Sequence, residues 1–377
     1  MLSKYRLTFI LDRNPIFQKL LNITVHPFFY VVRILSRLSS SAEESVVIVS
    51  LHRLGDTVFT IPAVKEIIKH YEKNIYILCS EDSALIYKKA LPEVNYVTLS
   101  NSDFYFKGKI AKRKTRGLIK SLKSDTIFDL TGTVKSAFLI LNSSAKEIIG
   151  SNLQHFKSIY THYTSHRKTP HLIDVCLDIV KTKFVVENEN NLKEFESNLN
   201  KDGKILLHPF GGWAAKEWEL EKYILLAEKL SLEYSAEIIA PINSIGYKEK
   251  QEAEKRNISI TETSSIGELI ELSKDCSIFI GNDSGPLYIA NMLGKPTFTI
   301  YGPTNPDYSV PYGDHHDFII KTIHCSPERN KQYCFTHAGM VGCLAFKCME
   351  LLDVDEVYNK LLPFVQKHCN KKIKILS

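Results

Sequence analysis

Acidic residues are almost missing from the first forty-one positions. Lys4, Arg6, Arg13, Lys19, Arg33 and Arg37 face only Asp12, so this stretch holds a formal +5 of the chain's +6. Long apolar sequence is missing too: the thirteen uncharged residues between Lys19 and Arg33, Phe28, Phe29 and Tyr30 among them, are too few to span a bilayer. Charges such as Lys19 and Arg33 break up the wider apolar stretch and no clear small-residue cleavage site follows, which argues against a cleavable secretory signal. Pro27 is expected to interrupt any helix there. For residues 1–44 two readings stay open: a basic amphipathic extension lying in an anionic membrane interface, or an extra helix packed on the domain that follows.

Other absences narrow the function. There is no internal repeat of 20 to 50 residues and no low-complexity tract. A second basic run, Lys107 to Lys123, meets no acid before Asp125, yet no nucleic-acid-binding motif or stacking platform accompanies it. Such a run is either a solvated helix face or a positive field that concentrates an acidic partner. The only Asp-x-Asp is Asp353-Val354-Asp355, at a helix start where carboxylates serve capping and the dipole, so it is not taken as a divalent-cation motif. Of eight cysteines, Cys325, Cys334, Cys343 and Cys348 crowd together without the paired short gaps of a zinc site. Buried thiols, a metal knuckle and a disulfide remain open for them, thiols being the reading if the chain works in a reducing compartment. Cys79, Cys176 and Cys276 read as core.

A chain of 377 residues with 44% hydrophobic residues can fill two cores and should be soluble and globular. Strands near Val46–Leu51, Ile75–Cys79 and Ile127–Leu130 alternate with helices near Thr57–Tyr71 and Ala111–Leu122, which is the rhythm of an α/β fold. The polar segment Glu187 to Gly203 marks a boundary, giving domains 45–187 and 203–377. Beyond it come a strand at Lys204–Leu207, a helix at Glu217–Leu232, a strand at Glu237–Ala240 and a helix at Ile266–Ser273.

The most informative stretch follows: Ile278-Phe279-Ile280-Gly281-Asn282-Asp283-Ser284-Gly285-Pro286-Leu287-Tyr288, then Gly294-Lys295-Pro296 and Tyr301-Gly302-Pro303-Thr304. An apolar run breaks at Gly281, cap-forming residues follow, Pro286 suits a first helical turn and Gly294 ends the helix. Strand, loop, helix, strand of this kind aims unpaired N–H groups and the positive dipole end at an anion, although Asp283 or Ser284 could simply be the cap.

These residues resemble the donor-site signature of glycosyltransferase family 9, the ADP-heptose:lipopolysaccharide heptosyltransferases. The likeness extends to Val46–Ala63 with its Leu54-Gly55-Asp56 turn, to Phe128-Asp129-Leu130-Thr131-Gly132 with Lys135-Ser136, to His171 with Asp174, and to His208-Pro209 with Lys216-Glu217-Trp218. It implies two Rossmann-like doubly wound domains facing across a cleft, the GT-B type architecture. It also implies an inverting, metal-independent enzyme without cofactor that moves a sugar, most simply heptose from ADP-heptose, onto an acidic lipopolysaccharide-type acceptor. Such an enzyme would be cytoplasmic and peripheral to the inner membrane, with no nucleic-acid partner. The N-terminal half would bind acceptor and the C-terminal half the nucleotide sugar.

The chemistry needs a base for the acceptor hydroxyl and positive charge for the departing diphosphate. Asp56 matches the family's base, though an Asp just before Thr57 is also a good N-cap. Lys216 matches the cation that meets the diphosphate; a lysine at a helix start is mildly disfavoured by the dipole, which points to an anionic neighbour. Asp283 would orient the loop or sugar, and Ser284, Gly285 and Pro286 would form the phosphate-holding turn. Trp218 is core or a wall of the donor site. Arg53, Lys112, Arg113 and Arg116 are the acceptor-side cations. One departure stands out: Tyr288 occupies a position where many members have His, and a phenol is no neutral-pH cation, which bears on donor identity. The loop Pro241–Gly246 is expected near ribose or base. Two alternatives are a nucleotide-sugar epimerase on the same scaffold and a catalytically silent nucleotide-sugar-binding protein.

Overall fold

The computed structural model describes residues 15–38, 43–72, 74–101, 112–151, 157–164, 171–328, 331–334 and 346–372. The chain forms two compact units. The first comprises Met1–His52, Phe59–Arg167 and Ile173–Glu187, and the second Asn188–Ser377 with two short segments, Arg53–Val58 and Lys168–Leu172.

In the first unit the helices are α1 (Pro15–Leu38), α2 (Leu54–Lys69), α3 (Glu81–Ala90), α4 (Lys112–Ser121), α5 (Val134–Ile140) and α6 (Leu172–Lys181). Its strands are β1 (Glu43–Val49), β2 (Ile75–Ser80), β3 (Asn95–Leu99), β4 (Ser124–Asp129), β5 (Glu147–Ser151) and β6 (His162–Thr164), parallel and ordered β3-β2-β1-β4-β5-β6. Val46, Val47, Ile48 and Val49 are all buried, as a central parallel strand covered on both faces requires.

In the second unit come α7 (Glu189–Lys193), β7 (Ile205–His208), α8 (Leu220–Ser231), β8 (Ala236–Pro241), α9 (Tyr247–Lys255), β9 (Ser259–Thr263) and α10 (Ile266–Ser273). Then follow β10 (Ile278–Asn282), α11 (Gly285–Met292), β11 (Thr297–Tyr301), β12 (His316–Ile320), α12 (Lys347–Glu350) and α13 (Val354–His368). Its sheet runs β12-β11-β10-β7-β8-β9, all parallel. Counted within the unit this is again the order 3-2-1-4-5-6, so both halves are Rossmann-like. In such a sheet the winding reverses between the first and fourth strands, and ligands bind beyond the carboxyl ends there. The switch points are therefore β1/β4 in the first unit and β7/β10 in the second.

Three local expectations need correction. Helix α1 runs through Pro27 instead of stopping at it. Pro27 and Ile23, whose carbonyl loses its helical partner, both lie on the exposed side, while Phe29 and Arg33 fix the helix from the other. Strand β10 continues past Gly281 to Asn282, because that glycine lets the β7 backbone approach: a Cβ there would sit 3.3 Å from the His208 carbonyl oxygen. Helix α2 begins at Leu54, three residues before the expected start, which places Asp56 inside the first turn.

Candidate functional site

At the second unit's switch point, the loop after β7 carries Lys216 and the loop after β10 carries Asp283. Asn282, buried at the strand end, ties the two together. Its Oδ1 accepts from the Trp218 backbone N–H at 3.1 Å and the Tyr223 hydroxyl at 3.0 Å, and its Nδ2 donates to the Pro209 carbonyl at 2.7 Å. The backbone around Gly211 is held by Glu217, whose Oε1 accepts from its N–H at 2.8 Å. His208 donates from Nδ1 to the Phe210 carbonyl at 3.0 Å, and burial pushes its imidazole down to about 4, so the ring is neutral at pH 7.

Lys216 is not at a helix start. It ends a short 3-10 turn, Ala214–Lys216, and α8 begins only at Leu220, so the expected dipole penalty does not act on it. The anionic neighbour inferred from that penalty nevertheless exists within the chain: Lys216 Nζ lies 2.6 Å from Asp283 Oδ2. Asp283 is buried, its Oδ2 also accepting from Thr304 at 2.7 Å, while its Oδ1 accepts from the Tyr288 hydroxyl and from Ser309 at 3.4 Å. Burial alone would raise the Asp283 carboxyl, but the Lys216 charge and these donors outweigh it and hold it below the usual carboxylate range. In the same way burial would lower the Lys216 ammonium, and Asp283 reverses that, with Tyr333 and Asp56 adding smaller effects of the same sign. The Lys216 ammonium also lies 5.7 Å above the Trp213 ring, which meets Tyr333 edge-on.

Helix α11 starts at Gly285 after Ser284, whose backbone is extended and whose side chain does not cap the helix, and Pro286 occupies the first turn. The leading N–H groups of α11 are thus left without a side-chain acceptor from Ser284. At the far end Gly294 adopts φ of +75° and donates to the Asn291 carbonyl at 2.9 Å, so the helix ends where expected. Tyr288 is buried with its hydroxyl spent on Asp283, and its phenol is pushed well above the ordinary range by burial and that carboxylate.

The segment Arg53–Val58 clusters with the second unit, and two glycines let it touch α11. A Cβ on Gly285 would lie 2.8 Å from Leu54 Cβ, and one on Gly55 would lie 3.0 Å from the Tyr288 ring. Asp56 is exposed in the first turn of α2 and makes no hydrogen bond or ion pair among the described residues. The helix start is instead closed by the Thr57 backbone and hydroxyl, which donate to the Arg53 carbonyl at 2.8 and 3.0 Å. Asp56 is therefore not the N-cap.

The other sequence-derived residues divide. Arg53 is exposed, and its guanidinium lies 3.8 Å from where a Cβ on Gly212 would sit, in the loop that leads to Lys216. Arg113 and Arg116 are exposed on α4, which packs on α5 in the first unit; the Lys112 side chain lies outside the described residues. Trp218 is core and not wall, 1% exposed, with Nε1 donating to the Leu352 carbonyl at 2.8 Å. Thr304, Ser309, Trp213 and Tyr333 belong to the cluster and escaped the sequence reading, although Thr304 closes the Tyr-Gly-Pro-Thr block. Asp353 caps α13 through the Glu356 N–H at 2.7 Å, as its position suggested. Cys79 and Cys276 are buried free thiols, both pushed up to about 12 chiefly by burial, Cys325 is half-buried, and Cys343 lies outside the described residues. Among the described residues no group of three or more His, Cys, Asp and Glu side chains is arranged to hold a metal ion.

Residues 115–338 match the model of glycosyltransferase family 9 (heptosyltransferase). The chain belongs to this family. As a family 9 glycosyltransferase it is similar to lipooligosaccharide heptosyltransferase 2 of Campylobacter jejuni, with 24% identity over 82% of this chain and 95% of the relative. It is likewise similar to lipopolysaccharide heptosyltransferase 1 of Campylobacter coli, with 27% identity over 74% and 89%. Its fold is that of an E. coli heptosyltransferase, WaaC, solved with ADP: TM-score 0.61, 16% identity, 85% of this chain and 99% of that one. That likeness agrees with two Rossmann-like units of the GT-B type.

Proposed function

We propose that this glycosyltransferase moves a heptose from ADP-heptose, with inversion, onto a hydroxyl of an acidic, lipid-linked lipopolysaccharide core acceptor at the inner face of the cytoplasmic membrane. The observation that carries the reading is the meeting of two turns, Leu54-Gly55-Asp56 and Ser284-Gly285, beside the Lys216–Asp283 pair. The acceptor oxygen forms the new bond to the anomeric carbon, the bond from that carbon to the diphosphate breaks, and the hydroxyl proton passes to the Asp56 carboxylate. A single displacement of this kind inverts the anomeric centre. Charge building on the departing diphosphate meets Lys216 and the N–H groups at the start of α11. Asp283, already satisfied by four donors, holds Lys216 in place and is a positioning residue; Trp218 acts only through packing. Segment 45–187 with Arg53, Lys112, Arg113 and Arg116 serves the acceptor, and 203–377 with Pro286 and the loop Pro241–Gly246 serves the donor. The names of the relatives support the sugar, and the ADP in the solved neighbour supports the nucleotide.

The test is Asp56→Asn. Because Asp56 is exposed and does not cap the helix, the change removes at most a first-turn dipole interaction of about 0.3–1 kcal/mol. Transfer measured with ADP-heptose and a lipopolysaccharide-core acceptor is expected to fall roughly 10²–10⁴-fold, the usual contribution of a general base, with ADP affinity unchanged. Transfer at the wild-type rate would remove Asp56 from the chemistry.

A further inference from the structure

Helix α1 has two unlike faces, and neither is explained by sugar transfer. On one, Phe29 is buried in the first unit's core, edge-on to Phe138 of α5 at 5.5 Å, and Arg33 is only 3% exposed. The Arg33 guanidinium donates to the carbonyls of Leu141, at 3.4 Å, Ser143, at 2.7 Å, and Ala145, where the chain leaves α5. Burial, and secondarily Arg37, push that guanidinium down to about 10, so it stays charged while it binds these carbonyls. The helix is clamped to the unit and is not a removable tail.

The opposite face is apolar and, among the described residues, exposed. Phe28, Val31, Leu35 and Leu38 recur at helical spacing, with Tyr30 and Ile34 beside them, and each of the six is between 39% and 79% exposed. A stripe of this size on a surface helix marks an interaction site. Its surroundings say what kind. Pro15–Leu38 contains no carboxylate, and Arg37 is exposed at the Leu38 end. The turn Lys157–Ile159 packs on α1, with His26 Nδ1 3.0 Å from Ser158 Oγ, and leaves Lys157 exposed. Helix α4, which like α1 packs on α5, exposes Arg113, Lys114, Arg116 and Lys120 and also lacks any acid. A second copy of the chain docking here would bring cationic surfaces together. An anionic bilayer offers both a hydrocarbon boundary for the stripe and negative charge for its border.

We propose that the outward face of α1 is a built-in lipid-docking surface for anionic membranes, with Arg33 as the clamp that fixes its orientation on the first unit. It deepens the reading of a lipid-linked acceptor, but its test reads lipid binding and not transfer. Full-length protein is floated with vesicles of phosphatidylcholine alone and of phosphatidylcholine with phosphatidylglycerol. Wild type is expected to float with the anionic vesicles, less so at high salt. Val31→Glu with Leu35→Glu, both on the exposed face, is expected to lose at least about tenfold in partitioning while melting temperature, ADP affinity and transfer to a detergent-solubilised acceptor stay at wild-type values. Arg37→Glu is expected to give a smaller loss, confined to the anionic vesicles. Absence of wild-type flotation, or equal flotation of wild type and the double variant, would overturn the proposal. So would wild-type self-association in light scattering that the double variant abolishes without any lipid binding, since the face would then belong to a second copy. Failure of transfer with lipid binding intact would count against the sugar-transfer reading alone.

Discussion

Replacing Lys216 by alanine should produce two separable losses, and the structure sets the size of each. The Lys216 side chain is 22% exposed, and its ammonium lies 2.6 Å from the carboxylate of Asp283, whose side chain is 5% exposed. Removing it leaves the Asp283 charge buried with, among the described residues, Thr304, Tyr288 and Ser309 to compensate. Breaking such a pair from one side costs about 3–5 kcal/mol, and partial exposure of the lysine argues for the lower figure. At about 2–4 °C per kcal/mol for a unit of this size, the melting temperature should fall by roughly 6–12 °C. Both pKa shifts favour the charged pair. Asp283, depressed in the folded state, contributes above the ordinary carboxylate range and loses its contribution as pH falls through its folded value. Lys216, raised, contributes below the ordinary lysine range and loses its contribution as pH rises through its folded value. The deficit should therefore be complete near pH 7. The second loss is in ADP binding, about 1.5–3 kcal/mol for a charge-assisted contact, or roughly 10- to 150-fold in Kd by calorimetry. Lys216→Met combined with Asp283→Asn separates the two, because removing both charges should restore much of the stability and none of the affinity. A Lys216→Ala variant that binds ADP as wild type does would take Lys216 out of the diphosphate site. An unchanged melting temperature would show that the ion pair contributes nothing in solution.

Two further outcomes are expected. Gly285→Ala puts a Cβ 2.8 Å from Leu54 Cβ, so it should cost about 1–3 kcal/mol in thermal unfolding and at least about tenfold in transfer, and wild-type values for both would mean that the two turns do not touch. Acid should act oppositely on two buried groups. His208, held down to about 4 by burial, contributes stability that is full above about 6.5 and lost as pH falls, about 3 kcal/mol in all. Asp129 is pushed up to about 6 by burial against four donors, so its native form binds the proton more tightly and its penalty of roughly 3 kcal/mol is relieved between pH 6 and 4. Melting curves of His208→Gln and Asp129→Asn against wild type between pH 7 and 4 should converge in opposite directions, and parallel curves would refute both assignments.

The periodic parts of the fold were open to reading because they are local. Strand β1 announces itself in Val46-Val47-Ile48-Val49, and the expected helix Ile266–Ser273 is the observed α10, with Ile266, Leu269 and Ile270 at helical spacing. What the sequence could not carry was decided by contacts between distant positions. Lys216 and Asp283 are 67 residues apart, and no local pattern pairs them. Thr304 and Ser309 join that pair only because β11 lies beside β10. Helix α1 runs on past Pro27 with Pro27 and Ile23 on its exposed side, and the Arg33 that holds its other side binds carbonyls more than a hundred residues away. Asp56 reads as an N-cap in sequence because a helix is expected from Thr57, yet the helix begins at Leu54. The family motifs point to the turns at Leu54-Gly55-Asp56 and Ser284-Gly285, and the side-chain pairing of Lys216 with Asp283 is set by the fold and not by any local pattern.

The phenol at position 288 has a consequence for the site's proton inventory. An imidazole there would gain or lose a proton as an anion arrived at neutral pH. Tyr288 is raised far above that range, Lys216 is raised and Asp283 lowered, so none of the three changes charge between about pH 5 and 9. A nucleoside diphosphate sugar, each of whose phosphates carries one ester and one anhydride link and a single strongly acidic oxygen, brings no titrating proton either. On the function proposed above, donor binding at this cluster should exchange no proton with these three groups, and its calorimetric enthalpy should be the same in phosphate, imidazole and Tris buffers despite their very different heats of ionisation.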